Sequence, residues 1–285
     1  MKKILITGKD SYIGESVAKW LARFPGRYVT HTIDMRGNSW KEHDFSRYDV
    51  VFHVAGIAHD SSRRALEDLY YSVNRDLAIA TAQKAKNEGV RQFIFMSSIL
   101  VYGGSSGLSQ VITRDTVPSP SSVYGKSKLE AEEGIRSLES DQFKVVIIRS
   151  PMVYGKGAKG NYPKLAKIAR SLPVFPDFDN QRSMIHIDNL CEFIRLMIEN
   201  EERGVFFPQN GEYVRTSEMV RLIAEASGRR IRLTKIFNPV IRALGRKVQV
   251  LNKAFGDLVY EKSMSEYKED YRVRDLRESI LVTER

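Results

Sequence analysis

Five short runs dominated by Val, Ile, Leu and Phe constrain this chain more than any other feature. They read "KILIT" (3–7), "YVTHTID" (28–34), "DVVFHVAG" (49–56), "QFIFMSS" (92–98) and "FKVVIIRS" (143–150). The stretch from Gly14 to Arg23 has a helical pattern, with Val17, Ala18, Leu21 and Ala22 on one side. Residues 65–89 and 124–140 carry further helical patterns between the later runs. Strands that alternate with helices at this spacing imply βαβ units and a parallel sheet. Strands that are apolar almost throughout fit a sheet covered on both faces. The expected fold class is therefore α/β, a doubly wound parallel sheet with a small C-terminal substrate-binding lobe.

The regularity fades after Arg149. Residues 154–181 are rich in Gly, Pro and Lys; "RSMIHIDNLCEFIRLMIEN" (182–200) then offers one more strand and helix, and "SEMVRLIAEAS" (217–227) an amphipathic helix. The expected boundary lies near Tyr154: a first domain over 1–154, with 183–207 partly returning to it, and a smaller lobe over 155–285. A chain of 285 residues with 42% hydrophobic content can bury a substantial core. Its one cysteine, Cys191, allows no internal disulfide and points to a reducing compartment, the cytoplasm. The apolar run at the N-terminus is too short for a signal peptide core or a membrane span. The net charge is +10, and residues 205–255 alone carry ten Lys/Arg against three Glu. Such a segment suits an anionic partner, whether a phosphorylated small molecule, a membrane or a nucleic acid, or is a solvated surface. No zinc-finger spacing or RNA-binding signature accompanies it, and no metal site is expected.

The first apolar run leads into "TGKDSYIG" (7–14). A dinucleotide-binding turn has glycines at G-x-x-G-x-x-G spacing; Gly8 and Gly14 are in place, and Ser11 stands at the middle position. Serine adds a hydroxymethyl group whose hydroxyl can donate to a phosphate. The second run ends at Asp34, twenty residues after Gly14, where an acid accepts hydrogen bonds from ribose hydroxyls. Arg36 follows and suits a 2′-phosphate, so NAD and NADP both stay open. Further on, Tyr124 and Lys128 stand four apart, one turn apart on the same helix face. A nearby ammonium favours the phenolate, which makes Tyr124 a candidate general acid/base for a carbonyl/alcohol interconversion. Ser97 and Ser98 end the fourth run, at the strand end where ligands bind in open α/β sheets, and Ser98 suits the same substrate oxygen.

With these pieces in this order, the sequence resembles the extended short-chain dehydrogenase/reductases, in the sugar-nucleotide epimerase/dehydratase/reductase branch, over essentially the whole chain. "ILITG..SYIG", "DVVFHVAG", "VNRDLA", "FIFMSSILVYG", "YGKSKLEAE", "IIRSPMVYG" and "RSMIHIDNL" carry the resemblance. It implies a Rossmann domain holding NAD(H) or NADP(H). Gly8, Ser11, Tyr12, Ile13 and Gly14 would cradle the pyrophosphate, Asp34 would bind the ribose, and Asp44 and Phe45 would flank the adenine. Val54, Ala55 and Gly56 would line the cofactor, Asn74 would approach it, and Pro151 would border the nicotinamide. Ser98, Tyr124 and Lys128 would serve catalysis, with Lys128 also on the nicotinamide ribose. Asn161 and Arg182 would meet the diphosphate of a UDP-sugar, and the family commonly forms a homodimer.

Two positions depart from the UDP-galactose epimerase pattern. A lysine two residues after the third-run motif is replaced by Ala58, with His59 next, and an asparagine is replaced by Met152. The stretches 155–190 and 255–267 resemble a bacterial subgroup acting on UDP-N-acetylhexosamines in surface polysaccharide synthesis. The expectation is hydride transfer at C4, as reduction of a UDP-4-keto-6-deoxy-N-acetylhexosamine. A 4-epimerase is the alternative. A dehydratase fits less well, because Ile99 and Leu100 stand where its acid/base pair would be, and a non-catalytic dinucleotide- or RNA-binding relative is a remote alternative.

Overall fold

The computed structural model describes residues 1–58, 67–104, 111–244 and 248–285. His59 lies outside them. In chain order the elements are β1 (Lys2–Thr7), α1 (Tyr12–Leu21), β2 (Tyr28–Ile33), β3 (Val50–His53), α2 (Glu67–Tyr70), a π-helical turn (Tyr71–Asp76), α3 (Leu77–Asn87), β4 (Gln92–Ser98), β5 (Val111–Ile112), α4 (Val123–Arg136), β6 (Lys144–Ser150), β7 (Met152–Tyr154), α5 (Asn161–Ser171), β8 (Val174–Pro176), β9 (Met184–His186), α6 (Ile187–Glu199), β10 (Gly204–Phe206), α7 (Thr216–Ala226), β11 (Arg232–Thr234), α8 (Asn238–Leu244), α9 (Gln249–Phe255), β12 (Val259–Tyr260) and α10 (Leu276–Glu284).

Contacts divide the chain into two units. The first comprises Met1–Tyr102, Pro118–Ser150 and Cys191–Pro208; the second comprises Gly103–Val117, Pro151–Leu190 and Gln209–Arg285. One division falls at Ser150/Pro151, close to Tyr154, and the segment that returns to the first unit is Cys191–Pro208.

The first unit is built on a six-stranded sheet in the order β10-β6-β4-β3-β1-β2. Every pairing in it is parallel. All five apolar runs are strands of this sheet, and β4 is buried at each of its seven positions. On one face, Leu5, Val51, Phe93, Phe95, Val145 and Ile147 pack against the small faces of α3 (Ala78, Ala82, Ala85) and α4 (Ala131, Ile135). Burial on both faces explains why the strands read as continuous hydrophobic runs. The strand order turns around at β1, whose neighbours are β2 and β3; their carboxyl ends flank the switch point where open α/β sheets bind ligands. Inside the sheet the Thr7 hydroxyl bonds His53 Nδ1 at 2.9 Å, tying β1 to β3. Burial pushes the His53 imidazole down to about 3, so the ring is neutral. At the other end, Lys2 Nζ donates to Ile198 O at 2.8 Å and Gln92 Nε2 to Met197 O at 2.9 Å. These bonds satisfy carbonyls at the end of α6 that have no partner within the helix.

The second unit has its own core, including Tyr154, Tyr162, Phe175, Phe178, Met219, Ile223 and Ile280. A buried polar network fixes its C-terminal helix. Tyr154 Oη meets Ser279 Oγ at 2.7 Å, and Asn210 Nδ2 donates to Tyr154 Oη at 2.9 Å. Asn210 Oδ1 accepts from the His186 amide and from Asn189 Nδ2, both at 3.0 Å. Two-stranded parallel ribbons, β7–β9, β8–β11 and β5–β12, complete it. Among the described residues no helix is long and apolar enough to cross a membrane, and no group of three His, Cys, Asp or Glu is placed to hold a metal.

Helix α4 is anchored to the sheet by a buried ion pair. Arg149 of β6 donates to Glu132 of α4 through Nε at 3.0–3.1 Å and Nη2 at 2.6 Å, and through Nη1 to Tyr102 Oη at 2.6 Å. Ser97 Oγ of β4 also bonds Glu132. Glu132→Ala removes one partner of a buried pair, which costs ~3–5 kcal/mol by leaving the other charge uncompensated. The exposed neighbour Glu133→Ala should change stability by less than about 0.5 kcal/mol. Urea unfolding of the two variants checks this: similar midpoints would show that the pair anchors nothing.

Candidate active site

The turn from β1 to α1 is closed by Gly8, which has φ +96°; a Cβ there would stand 3.0 Å from the backbone of Ala55. At Gly14 a Cβ would fall 2.5 Å from Ser11 Oγ and 3.0 Å from Ile6 Cγ2. The two glycines thus let the turn lie against β1 and the end of β3. Ser11 is the N-cap of α1, and its Oγ accepts the Gly14 N–H at 3.2 Å. The serine in place of glycine therefore has a structural task, and its hydroxyl proton is still a donor. Tyr12 and Ile13 open the helix, so the turn presents a helix N-terminus at the switch point of the sheet, as a pyrophosphate requires.

Asp34 follows the last residue of β2. Its carboxylate accepts from Arg36 Nε at 2.9 and 3.0 Å, from Arg36 Nη2 at 2.5 Å and from the Arg36 amide at 2.9 Å. These bonds hold its carboxyl down at about 2, and the charge is present at neutral pH. The arginine that the sequence left open for a 2′-phosphate is folded back on this acid. Asp44 is exposed and accepts from Ser46 and Arg47. Phe45 is fully buried in the core of the first unit, and its N–H donates to Glu88 at 2.6 Å; its ring is packing, not surface.

Val54 and Ala55 follow β3, and Gly56 comes next in an exposed position. Asn74 lies buried in the π-helical turn; it accepts from the Ile57 amide at 2.9 Å and donates to Ile57 O at 3.0 Å and Ser127 Oγ at 3.3 Å. It fixes the strand-end loop against α4. A Cβ at Gly56 would stand 2.9 Å from Asn74 Oδ1 and 3.4 Å from Lys128 Nζ, so the ammonium reaches the end of β3.

Ser98, Tyr124 and Lys128 come together in the first unit. Ser122 caps α4, its Oγ accepting the Gly125 N–H at 3.1 Å. Gly125 lets that helix end press on the turn after β4, where a Cβ would sit 2.4 Å from Leu100 O. The close approach brings Tyr124 to Ser98, and the serine hydroxyl bonds the phenol. Burial pushes the phenol up to about 12, opposed by the Ser98 bond. The sequence expected Lys128 to control this acidity; here burial controls it, because the ammonium is occupied elsewhere. Lys128 Nζ donates to Met96 O at 2.9 Å and lies 4.6 Å from the centroid of the Phe95 ring. Burial lowers the amine to about 8, and the Glu132 carboxylate one turn along raises it. Among the described residues its one hydrogen bond leaves two N–H donors for ribose hydroxyls. Sequence reasoning missed Glu132, Arg149 and Tyr102. The first stands four after Lys128, so the spacing Tyr124, Lys128, Glu132 on one helix face was the available signal.

Pro151, Met152, Asn161 and Arg182 belong to the second unit. Pro151 is buried and Asn161 is the exposed first residue of α5. Half-buried Arg182 donates from Nη1 to Gly256 O at 2.8 Å, and burial lowers its guanidinium below the usual value. Ala58 is exposed, and Met152 pairs with Met184 in the β7–β9 ribbon.

The profile of the NAD dependent epimerase/dehydratase family matches residues 4–207. The chain belongs to that family. It is an enzyme of the sugar-nucleotide epimerase/reductase kind, dependent on NAD(P). It is 31% identical over 248 residues to a UDP-glucose 4-epimerase of Vibrio cholerae, covering 79% of this chain and 76% of the relative. It is 24% identical over 251 residues to a GDP-6-deoxy-D-mannose reductase of Pseudomonas aeruginosa, covering 79% and 80%. The fold matches a dTDP-4-dehydrorhamnose reductase of Clostridium acetobutylicum with a TM-score of 0.75 at 18% identity, over 99% of this chain and 98% of that one.

Asp34→Ala should weaken NAD(H) by about tenfold, the worth of a hydrogen bond to a charged group. It should leave NADP(H) the same or tighter, because the acid repels a 2′-phosphate. Fluorescence titration with both cofactors checks this; equal losses would move the ribose contact elsewhere.

Proposed function

We propose that the protein reduces a ketone at C4 of a nucleotide sugar, with a UDP-4-keto-6-deoxy-N-acetylhexosamine as substrate. The observation that supports this reading is the phenol of Tyr124 beside Ser98, the last residue of β4, with Lys128 one helical turn further on. A bound nicotinamide dinucleotide supplies the hydride that C4 receives. Ser98 Oγ donates to the carbonyl oxygen and holds it toward the phenol. Tyr124 Oη gives its proton to that oxygen, so the C=O becomes CH–OH and the phenolate is refilled from solvent. Lys128, charged and buried, offers the N–H donors left by its bond to Met96 O to the hydroxyls of the nicotinamide ribose. The turn at Gly8–Gly14 and Asp34 hold the dinucleotide, and Arg182 and Asn161 are our assignments for the diphosphate of the substrate.

A reductase needs Tyr124 only as an acid. An epimerase needs the same residue first as a base and then as an acid, so Tyr124 by itself serves either reaction. The apolar Ala58 and Met152, in place of two polar positions of the galactose-epimerase pattern, support reduction. The identity to a UDP-glucose 4-epimerase favours the second reading, a nucleotide-sugar 4-epimerase.

One assay separates them. The purified protein, given NADH or NADPH and the 4-keto sugar, should consume the cofactor stoichiometrically, and Tyr124→Phe should slow this at least about 10²-fold. Interconversion of UDP-GlcNAc and UDP-GalNAc without net cofactor consumption would overturn reduction and establish the epimerase.

The charge on Lys128 sets a pH limit. Its amine is charged below about 8, so kcat/KM should be level through neutrality and fall as pH rises through about 8. Glu132→Gln removes a carboxylate that raises the amine, so the inflection should move to lower pH. A stopped-flow pH profile checks both; an unmoved inflection would assign it to another group.

A further inference from the structure

The basic segment of the second unit has its own arrangement. No acidic residue occurs from Gly228 to Gly256. Arg229, Arg230, Arg232, Lys235 and Arg242 are all exposed. Among the described residues none of these five sits in an ion pair. Apolar side chains stand exposed among them: Ile236 at 78%, Phe237 at 44%, Val240 at 55% and Leu244 at 42%. Val240 and Leu244 stand one turn apart on α8 with Phe237 just before it, and Ile241, buried at 4%, anchors the edge of the same helix face. The β8–β11 ribbon continues the surface, since Val174, 38% exposed, pairs with Arg232. Asn238 Nδ2 joins ribbon and helix by donating to Asp177 O at 2.9 Å.

Exposed apolar side chains ringed by unpaired cations mark an interaction surface rather than a solvated face. We propose that α8 and the β8–β11 ribbon dock the second unit onto an anionic lipid bilayer. The charge is complementary to lipid phosphates, and the short apolar patch suits shallow insertion of a few side chains at the headgroup level. A bilayer matches this chemistry better than single-stranded RNA, which needs aromatic rings for its bases. Phe237 is the one exposed aromatic in the patch. The inference goes beyond the reading of the reaction and stands or falls apart from it, because no residue of the surface is assigned to catalysis or cofactor binding.

The test is co-sedimentation of the full chain with vesicles of phosphatidylcholine alone or mixed with phosphatidylglycerol. The protein should sediment with the mixed vesicles only, and high salt should release it. Phe237→Asp/Val240→Asp should abolish sedimentation. Arg229→Glu/Arg230→Glu, on an exposed stretch outside α8, should weaken it at least about tenfold and serves if the first variant fails to fold. Both variants should keep wild-type turnover on the soluble nucleotide sugar. Absence of sedimentation, equal binding to neutral vesicles, or wild-type binding by the charge-reversal variant would overturn the proposal. So would conversion of an oligomer to monomer by the variants without vesicle binding, which would make this face an interface between copies. Tighter binding of single-stranded RNA than of vesicles would overturn it too.

Discussion

The buried pair of Glu132 and Arg149 is the contact on which the placement of Tyr124 and Lys128 depends. Taking two charges out of water is costly, and good geometry plus additional hydrogen bonds must offset the cost. Here Arg149 forks onto the carboxylate and also reaches Tyr102, and Ser97 bonds the same carboxylate. The result is a helix pinned to two neighbouring strands one turn beyond Lys128. Tyr124, Lys128 and Glu132 share that helix face, so fixing Glu132 fixes the other two in depth and rotation. The small residues Gly125 and Ala131 let the helix come close enough for the pair to form.

The same burial that orders the site also sets its acid–base character. A phenol and an amine taken out of water both prefer their neutral forms. Tyr124 therefore keeps its proton, while Lys128 retains its charge near neutrality with the help of the Glu132 carboxylate. The turn at Gly8 and the Asp34–Arg36 clamp lie at the carboxyl ends of β1 and β2 in the same sheet, where the strand order reverses. The glycine turn, Asp34 and the Ser98–Tyr124 pair thus all stand on one parallel sheet and the helices packed on it.

Much of this was legible in the sequence because its causes are local. Continuous apolar runs alternating with helical patterns dictate a parallel sheet buried on both faces, and all five runs became its strands. The glycine turn announced itself by spacing, and Tyr124 and Lys128 by their four-residue separation. Family membership followed from the order of these pieces. What the sequence by itself did not determine were the properties that depend on distant partners. Phe45, a candidate neighbour of adenine by resemblance, packed into the core. The acidity of Tyr124 was decided by burial rather than by Lys128 one turn along the helix. Glu132 reads as one more charge on a charged helix until β6 places Arg149 against it. Periodicity encodes which way a side chain faces, but solvent exclusion and charge pairing arise only when segments far apart in the chain close around the same atoms.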